Sequence, residues 1–138
     1  MDKLYTIGYG GRKPDEFLGL LKQHGIKAVV DVRLYPDRSS LGIYAKFKDH
    51  SKGIERLLGE AGIQYFSFVE LGNIFFGLDD WPQRYRFLLD KAGDLLIERL
   101  SQVPAPFCLL CAEKDASKCH RKLIADYLVS KGCQVVHL

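Results

Sequence analysis

Short apolar runs alternate with longer amphipathic stretches along the whole chain, and this alternation predicts strands separated by helices. Strands are predicted at residues 5–7, 28–33, 63–68, 107–110 and 133–137. Helices are predicted from Pro14 to Gly25, from 51 to 61, from Trp81 to about Leu100, and directly after Cys119; residues 34–50 are predicted to be irregular. Buried strands connected through helices favour parallel pairing. We therefore predict a three-layer α/β fold with a mainly parallel sheet of about five strands and helices on both faces.

The length of the chain favours one domain over residues 1–138. No apolar run reaches the ~18 residues that a membrane span needs, and residues 1–5 lack the blocks of a signal peptide. We expect a cytoplasmic protein without a membrane partner. The net charge of +3 neither requires nor excludes an anionic partner.

The richest chemistry lies between the fourth predicted strand and the helix that follows it. Cys111, Glu113, Cys119, His120 and Arg121 all fall in this connection, at a place where open α/β sheets bind ligands. A thiol at a helix N-terminus beside an arginine ionises readily, a histidine can carry a proton near neutral pH, and an arginine can bind an oxyanion. We predict the first four as catalytic residues and Arg121 as a substrate-binding residue.

The carboxyl ends of the first two strands offer further candidates. Gly8, Gly10 and Arg12 lie in a glycine-rich turn before a helix, which can bind an anion; a tight turn without a ligand is the alternative. Asp31 and Arg33 share one face of their strand. Asp31 is predicted to be catalytic and Arg33 to bind substrate, although an ion pair between them would equally serve structure.

The four cysteines divide by context. Cys108 and Cys133 lie in apolar strands and are predicted to be core residues. Cys111, Cys119 and His120 are candidate zinc ligands, but only three are present and their spacing is atypical. We predict no metal and no cofactor.

A basic segment extends from Arg33 to Lys52 and also contains Tyr35, Tyr44 and Phe47. Aromatic residues among cations can stack bases and bind phosphates. The alternative is a solvated basic surface. Nucleic acid is therefore a possible partner, beside a small anionic ligand.

Short motifs occur at residues 6–10, 16–17, 20–21, 30–33, 70–72, 110–113 and 119–121. Together they resemble the DUF488 family of small bacterial and archaeal proteins, almost from end to end of the chain. The most specific part of the resemblance is Cys-Ala-Glu followed by Cys-His-Arg. The chain departs from the pattern at Tyr9, where a histidine is common, and at Asn73, where a second glycine often stands. The resemblance implies the same fold and cleft and adds Glu70 to the expected substrate-binding residues.

Residues 30–33 are also similar to the second-strand signature of rhodanese-like domains. The compact anion-binding loop that those domains place after their catalytic cysteine is missing here, so the similarity concerns layout alone.

The sequence therefore predicts a small enzyme that acts on a phosphate- or nucleotide-like anion with a Cys/His/Arg site. The alternative is a nucleic-acid or nucleotide-binding module without catalysis.

Overall fold

Five parallel strands form one sheet in the computed structural model, which describes residues 3–138. Met1 and Asp2, which belong to the segment without the blocks of a signal peptide, lie outside the described residues. The strands are β1 (Lys3–Gly8), β2 (Ala28–Asp31), β3 (Gln64–Ser67), β4 (Phe107–Cys111) and β5 (Gln134–His137). Their order is β3-β2-β4-β1-β5, and every neighbouring pair is parallel. The predicted strand positions and parallel pairing are confirmed.

Four helices connect these strands. They are α1 (Pro14–Gln23), α2 (Gly53–Glu60), α3 (Trp81–Leu96) and α4 (Arg121–Ser130). Proline in the first turn begins α1 and α3, where its missing N–H costs no hydrogen bond. Helix α3 ends at Leu96 rather than near Leu100, because its last turns tighten into the 3-10 segment Glu98–Gln102. The predicted irregular region contains two further 3-10 turns, Pro36–Arg38 and Gly42–Tyr44.

Successive side chains of each strand point to opposite faces of the sheet, so each strand contributes side chains to both faces. Leu4, Val30 and Leu109 contribute to one apolar core, which also contains residues of α3 and α4. Tyr5 and Val29 contribute to a second core, which contains residues of α1 and α2. Helices therefore cover both faces, and the predicted three-layer architecture is confirmed.

Strands β1 and β4 end side by side, and their pairing continues beyond the sheet. Gly8 lies opposite Cys111. The next two residues extend the ladder, since Tyr9 N–H donates to the Cys111 carbonyl at 3.1 Å and Gly10 N–H to the Ala112 carbonyl at 2.8 Å. The connection that carries the cysteines is thus fastened to the glycine-rich turn at the carboxyl edge of the sheet.

Within residues 3–138, no helix combines the length and apolar character needed to cross a bilayer.

Candidate functional site

A cavity of about 580 Å³ opens at the carboxyl edge of the sheet. This edge is where α/β folds commonly bind ligands, because strand ends and helix N-termini converge there. Its lining comes from the turn after β1, the segment after β2, the segment before α3 and the β4–α4 connection. The lining residues are Tyr9, Arg33, Leu34, Tyr35, Arg38, Ser39, Asn73, Phe76, Gly77, Trp81, Cys111, Ala112, Glu113, Lys118, Cys119 and His120.

Two cysteines and a histidine come together in the wall of this cavity. The sulfur atoms of Cys111 and Cys119 and one ring nitrogen of His120 all lie within 4.8 Å of one another. His120 Nδ1 is 3.7 Å from Cys119 Sγ, and His120 Nε2 is 3.0 Å from the Val32 carbonyl oxygen. A carbonyl only accepts, so Nε2 carries the proton of a neutral ring and the Nδ1 lone pair faces Cys119.

The two thiols have opposite pKa shifts. A hydrogen bond from Cys111 lowers the pKa of Cys119 to about 7, and the backbone N–H and charge of Arg121 add to this effect against the opposing influence of burial. The hydrogen bond to Cys119, followed by burial, raises the pKa of Cys111. Near neutral pH Cys119 is therefore the sulfur that ionises, with about half of it as thiolate at pH 7, whereas Cys111 stays a thiol.

Arg121 lies behind the cavity rather than in its wall. Its side chain is fully buried, and its guanidinium donates to the Thr6 hydroxyl at 3.2 Å and to the backbone carbonyls of Glu113 and Lys114. All these acceptors are neutral. The Cys119 thiolate is therefore the nearby negative charge that can balance this buried cation, which is why the arginine favours ionisation of the thiol.

Asp31 and Arg33 form a buried ion pair at the end of β2. Arg33 donates through both Nε and Nη2 to the Asp31 carboxylate, with a shortest distance of 2.6 Å, and its Nη1 donates to the Tyr9 hydroxyl. Burial opposes the charge of Arg33, but the hydrogen bond and charge of Asp31 raise its pKa overall. Burial and then Asp31 raise the pKa of Tyr65, whose hydroxyl donates to the carboxylate at 2.5 Å. Arg33 reaches the cavity, whereas Asp31 is enclosed by its partners.

The glycines of the first turn pack against the chain itself. A Cβ on Gly8 would lie 1.8 Å from the Glu113 carbonyl oxygen, and one on Gly10 would lie 2.6 Å from that of Ala112. Arg12 donates to the Gly8 carbonyl and also contacts Glu16 and the Leu138 carbonyl. None of these three predicted binding residues lines the cavity.

The two predicted glutamates have different positions. Glu113 lines the cavity and is exposed. Glu70 lies outside the cavity lining and forms an ion pair with Arg99 at 2.7 Å. Glu113 therefore shares the cavity with the cysteine–histidine cluster, whereas Glu70 does not line it.

Several lining residues were not among the predicted site residues, although Tyr35 and Arg38 lie in the basic segment from Arg33 to Lys52. Tyr35 and Phe76 pack edge to face with ring centroids 6.0 Å apart, and the Arg38 guanidinium lies 4.1 Å from the centre of the Tyr35 ring. Trp81 and Lys118 complete this set of aromatic and cationic residues. Their sequence signals are weak. Trp81 is the sole tryptophan and begins a helix, and Lys118 directly precedes Cys119.

The basic segment is partly neutralised. Arg33 is paired with Asp31, and Lys46 forms an ion pair with Glu55 at 3.2 Å. Arg38 and Lys48 are exposed, and neither forms an ion pair with any described residue. The cationic character of the segment is therefore concentrated on a few side chains, of which Arg38 lines the cavity.

Cys111, Cys119 and His120 are also the side chains that could hold a soft metal ion, because their ligand atoms converge. A tetrahedral site would need a fourth ligand from outside this cluster.

Comparison with protein families identifies the chain. Residues 13–128 match the sequence model of DUF488, described as a domain of unknown function. The chain belongs to this family. Neither the curated proteins nor the solved structures contain a match, and the likeness to rhodanese-like domains gains no support.

Proposed function

We propose that this member of the DUF488 family is an enzyme that uses the Cys119 thiolate as a nucleophile toward a small anionic substrate bound in the cavity. The observation that carries the proposal is the Cys119–His120 pair, with Sγ and Nδ1 3.7 Å apart and the ring oriented by the Val32 carbonyl. A nucleophile beside a base that a third group orients is the arrangement of covalent catalysis.

The steps follow from the positions of these atoms. Cys119 Sγ forms a bond to the electrophilic centre of the substrate, and the bond from that centre to the leaving group breaks. When the thiol form is the starting state, its proton passes to His120 Nδ1 and then to the leaving group. Water releases the covalent adduct and restores the thiol. In the fraction of molecules whose Cys119 is already a thiolate, the proton transfer to His120 is not needed before attack.

Substrate charge is inferred from the cations of the cavity. Arg38 and Lys118 are exposed in its lining, and Glu113 is the carboxylate nearby in the same lining. Arg33 adds donors, but Asp31 already balances its charge. A substrate with one or two negative charges would face both free cations, whereas a cationic substrate would be repelled.

The experiment compares two alkylating agents of nearly equal size, anionic iodoacetate and neutral iodoacetamide. The ratio of the rate with iodoacetate to the rate with iodoacetamide should be several-fold higher for Cys119 than for a small free thiol. Substitution of Arg38 or Lys118 by alanine should remove the preference, while Lys48→Ala, which removes an exposed cation outside the cavity lining, should leave it intact. Inorganic phosphate and adenosine monophosphate should protect Cys119. Equal preference for both agents together with no protection would overturn the anionic substrate.

Turnover distinguishes catalysis from binding. Wild-type protein should release p-nitrophenol from an activated phosphate or carboxylate ester, with an adduct on Cys119 visible by intact mass. Cys119→Ser and His120→Asn should both lose this activity. If both variants keep the activity, the thiolate mechanism is excluded.

The aromatic lining favours a second candidate, a nucleotide-binding module without catalysis. Tyr35, Phe76 and Trp81 are placed in the same cavity as Arg38 and Lys118, and aromatic faces beside cations bind bases and phosphates. This candidate gains if adenosine monophosphate binds wild type and Cys119→Ser equally and no ester is turned over. Binding of single-stranded RNA that weakens steeply with salt would extend it to nucleic acid.

A further inference from the structure

Cys111 has no role as a nucleophile in the proposed reaction, yet its sulfur lies within 4.8 Å of Cys119 Sγ. A disulfide needs about 2.05 Å between the sulfurs, so the gap must close by less than 3 Å. Side-chain rotation and a small shift of the connection between the two cysteines can supply this movement. Residues 112–114 are held by hydrogen bonds to Gly10 and Arg121, so the shift falls on residues 115–118, most of which are exposed.

The two sulfurs are chemically unequal, which is what an oxidation followed by resolution requires. Cys119 Sγ accepts the backbone N–H of Arg121 at 3.5 Å and lies 3.7 Å from His120 Nδ1, so it is the sulfur that neighbouring polar groups favour for attack. Cys111 Sγ lies within 4.8 Å of this sulfur, close to the atom that would be oxidised. A reactive cysteine next to a second, resolving cysteine is typical of redox-sensitive sites.

Access selects this pair over the other two cysteines. Cys111 and Cys119 line the 580 Å³ cavity, which is far larger than a hydroperoxide. Cys108 and Cys133 are buried in the two apolar cores and do not line it. Burial also raises the pKa of Cys108, which keeps that sulfur in its unreactive thiol form.

We propose that Cys111 and Cys119 form a redox pair, which hydroperoxides oxidise to an intramolecular disulfide that removes the nucleophile from the cavity. In the first step Cys119 Sγ bonds to the terminal peroxide oxygen, the O–O bond breaks, and the departing oxygen takes a proton and leaves as water from hydrogen peroxide or as an alcohol from an organic hydroperoxide. Cys119 is oxidised to a sulfenic acid and the peroxide is reduced by two electrons. In the second step Cys111 Sγ bonds to Cys119 Sγ, the S–O bond breaks, and the oxygen leaves as water with the proton of Cys111. A small dithiol reverses the oxidation by thiol–disulfide exchange.

The test treats the native, reduced protein with hydrogen peroxide at a one-to-one ratio, blocks the remaining thiols with iodoacetamide after unfolding, and maps the peptides. In wild-type protein the Cys111 and Cys119 thiols should become unavailable to iodoacetamide together, and dithiothreitol should restore the alkylation of both. Cys108 and Cys133 serve as controls within the same molecule and should remain alkylated. Cys111→Ser should stop at a Cys119 sulfenic acid that dimedone traps.

Two results would overturn the redox pair. One is a wild-type protein in which dimedone traps Cys119 while Cys111 stays free. The other is stoichiometric zinc in the purified protein together with inertness to peroxide, since a metal held by both sulfurs leaves neither available. This proposal shares the Cys119 thiolate with the proposed function, but the two fail separately. If Cys119 of the reduced protein still favours iodoacetate and no disulfide forms, the redox pair alone is excluded.

Discussion

Replacing Cys111 by alanine removes the hydrogen bond that contributes most to the low pKa of Cys119. The pKa should then rise from about 7 toward the value near 8.5 of an ordinary thiol, and because Arg121 still favours the thiolate we expect a rise of about one pH unit. Serine at position 111 keeps a donor of nearly the same size. Cys111→Ser should therefore leave the pKa of Cys119 close to that of the wild type.

The magnitude decides which measurement is informative. At pH 7 the thiolate fraction of Cys119 should fall from about one half to about one tenth in Cys111→Ala. Each thiolate becomes about threefold more nucleophilic, because nucleophilicity rises with pKa by roughly 0.4–0.5 logarithmic units per unit. The two effects nearly cancel, and the rate at pH 7 should change by less than about twofold. A rate at a single pH is consequently uninformative, whereas the midpoint of the pH profile is not.

The assay measures the second-order rate constant of iodoacetamide with Cys119, by peptide mass spectrometry, from about pH 5 to about pH 10. The wild-type profile should have its midpoint near pH 7. The alanine variant should be slightly slower than wild type at pH 7 and about threefold faster at the alkaline plateau, so the two profiles cross. Slow alkylation of Cys108 and Cys133 in every variant verifies native packing. If the midpoint does not move in Cys111→Ala, or moves equally in Cys111→Ser, the hydrogen bond from Cys111 is not what lowers the pKa of Cys119.

Four further substitutions, of which Gly19→Ala is a control, test the framework of the site by urea unfolding. Gly8→Ala should destabilise the protein by about 1–3 kcal/mol or more, because the new Cβ overlaps a backbone carbonyl, whereas Gly19→Ala, with open space around it in α1, should stabilise by about 0.5–1 kcal/mol. Arg121→Ala should cost about 3 kcal/mol, because buried acceptors lose their donor. Tyr65→Phe should cost about 1.5–3 kcal/mol, because the buried Asp31 carboxylate loses one hydrogen bond.

Matched substitutions on the surface provide the controls for these losses. Lys118→Ala removes an exposed cation, and Tyr127→Phe removes an exposed hydroxyl that donates to Asp94. Both should leave the free energy of unfolding nearly unchanged. If Arg121→Ala were as stable as Lys118→Ala, the buried arginine would have no structural role, and its assignment as a substrate-binding residue would regain weight.

The layers of the fold could be predicted because their signals are local. Apolar runs such as residues 28–30, proline at the start of α1 and glycine after its end each mark an element within a few residues. The cluster of Cys111, Cys119 and His120 was predictable for the same reason, since one strand–helix connection carries all three.

Residues that meet only through the conformation of loops were not predictable. Arg38, Phe76 and Trp81 come from segments far from the cysteines in sequence, and no local pattern shows that they line the same cavity. The glycines illustrate a different limit. A glycine that allows close approach of a ligand and one that allows close approach of the chain's own carbonyl are the same residue type, and only the structure shows that Gly8 belongs to the second kind.

The position of β1 has a consequence for the order in which this protein can assemble. The strand lies between β4 and β5, so that Tyr5 pairs with both Cys108 and Val136. A ribosome makes β1 before both of its partners, and closing so long a loop is slow. The pair β2–β3 can form early, because its strands are closer in sequence. During synthesis β1 therefore stays unpaired on both edges until β4 and β5 have been made, and the site at the carboxyl ends of these strands can form only then.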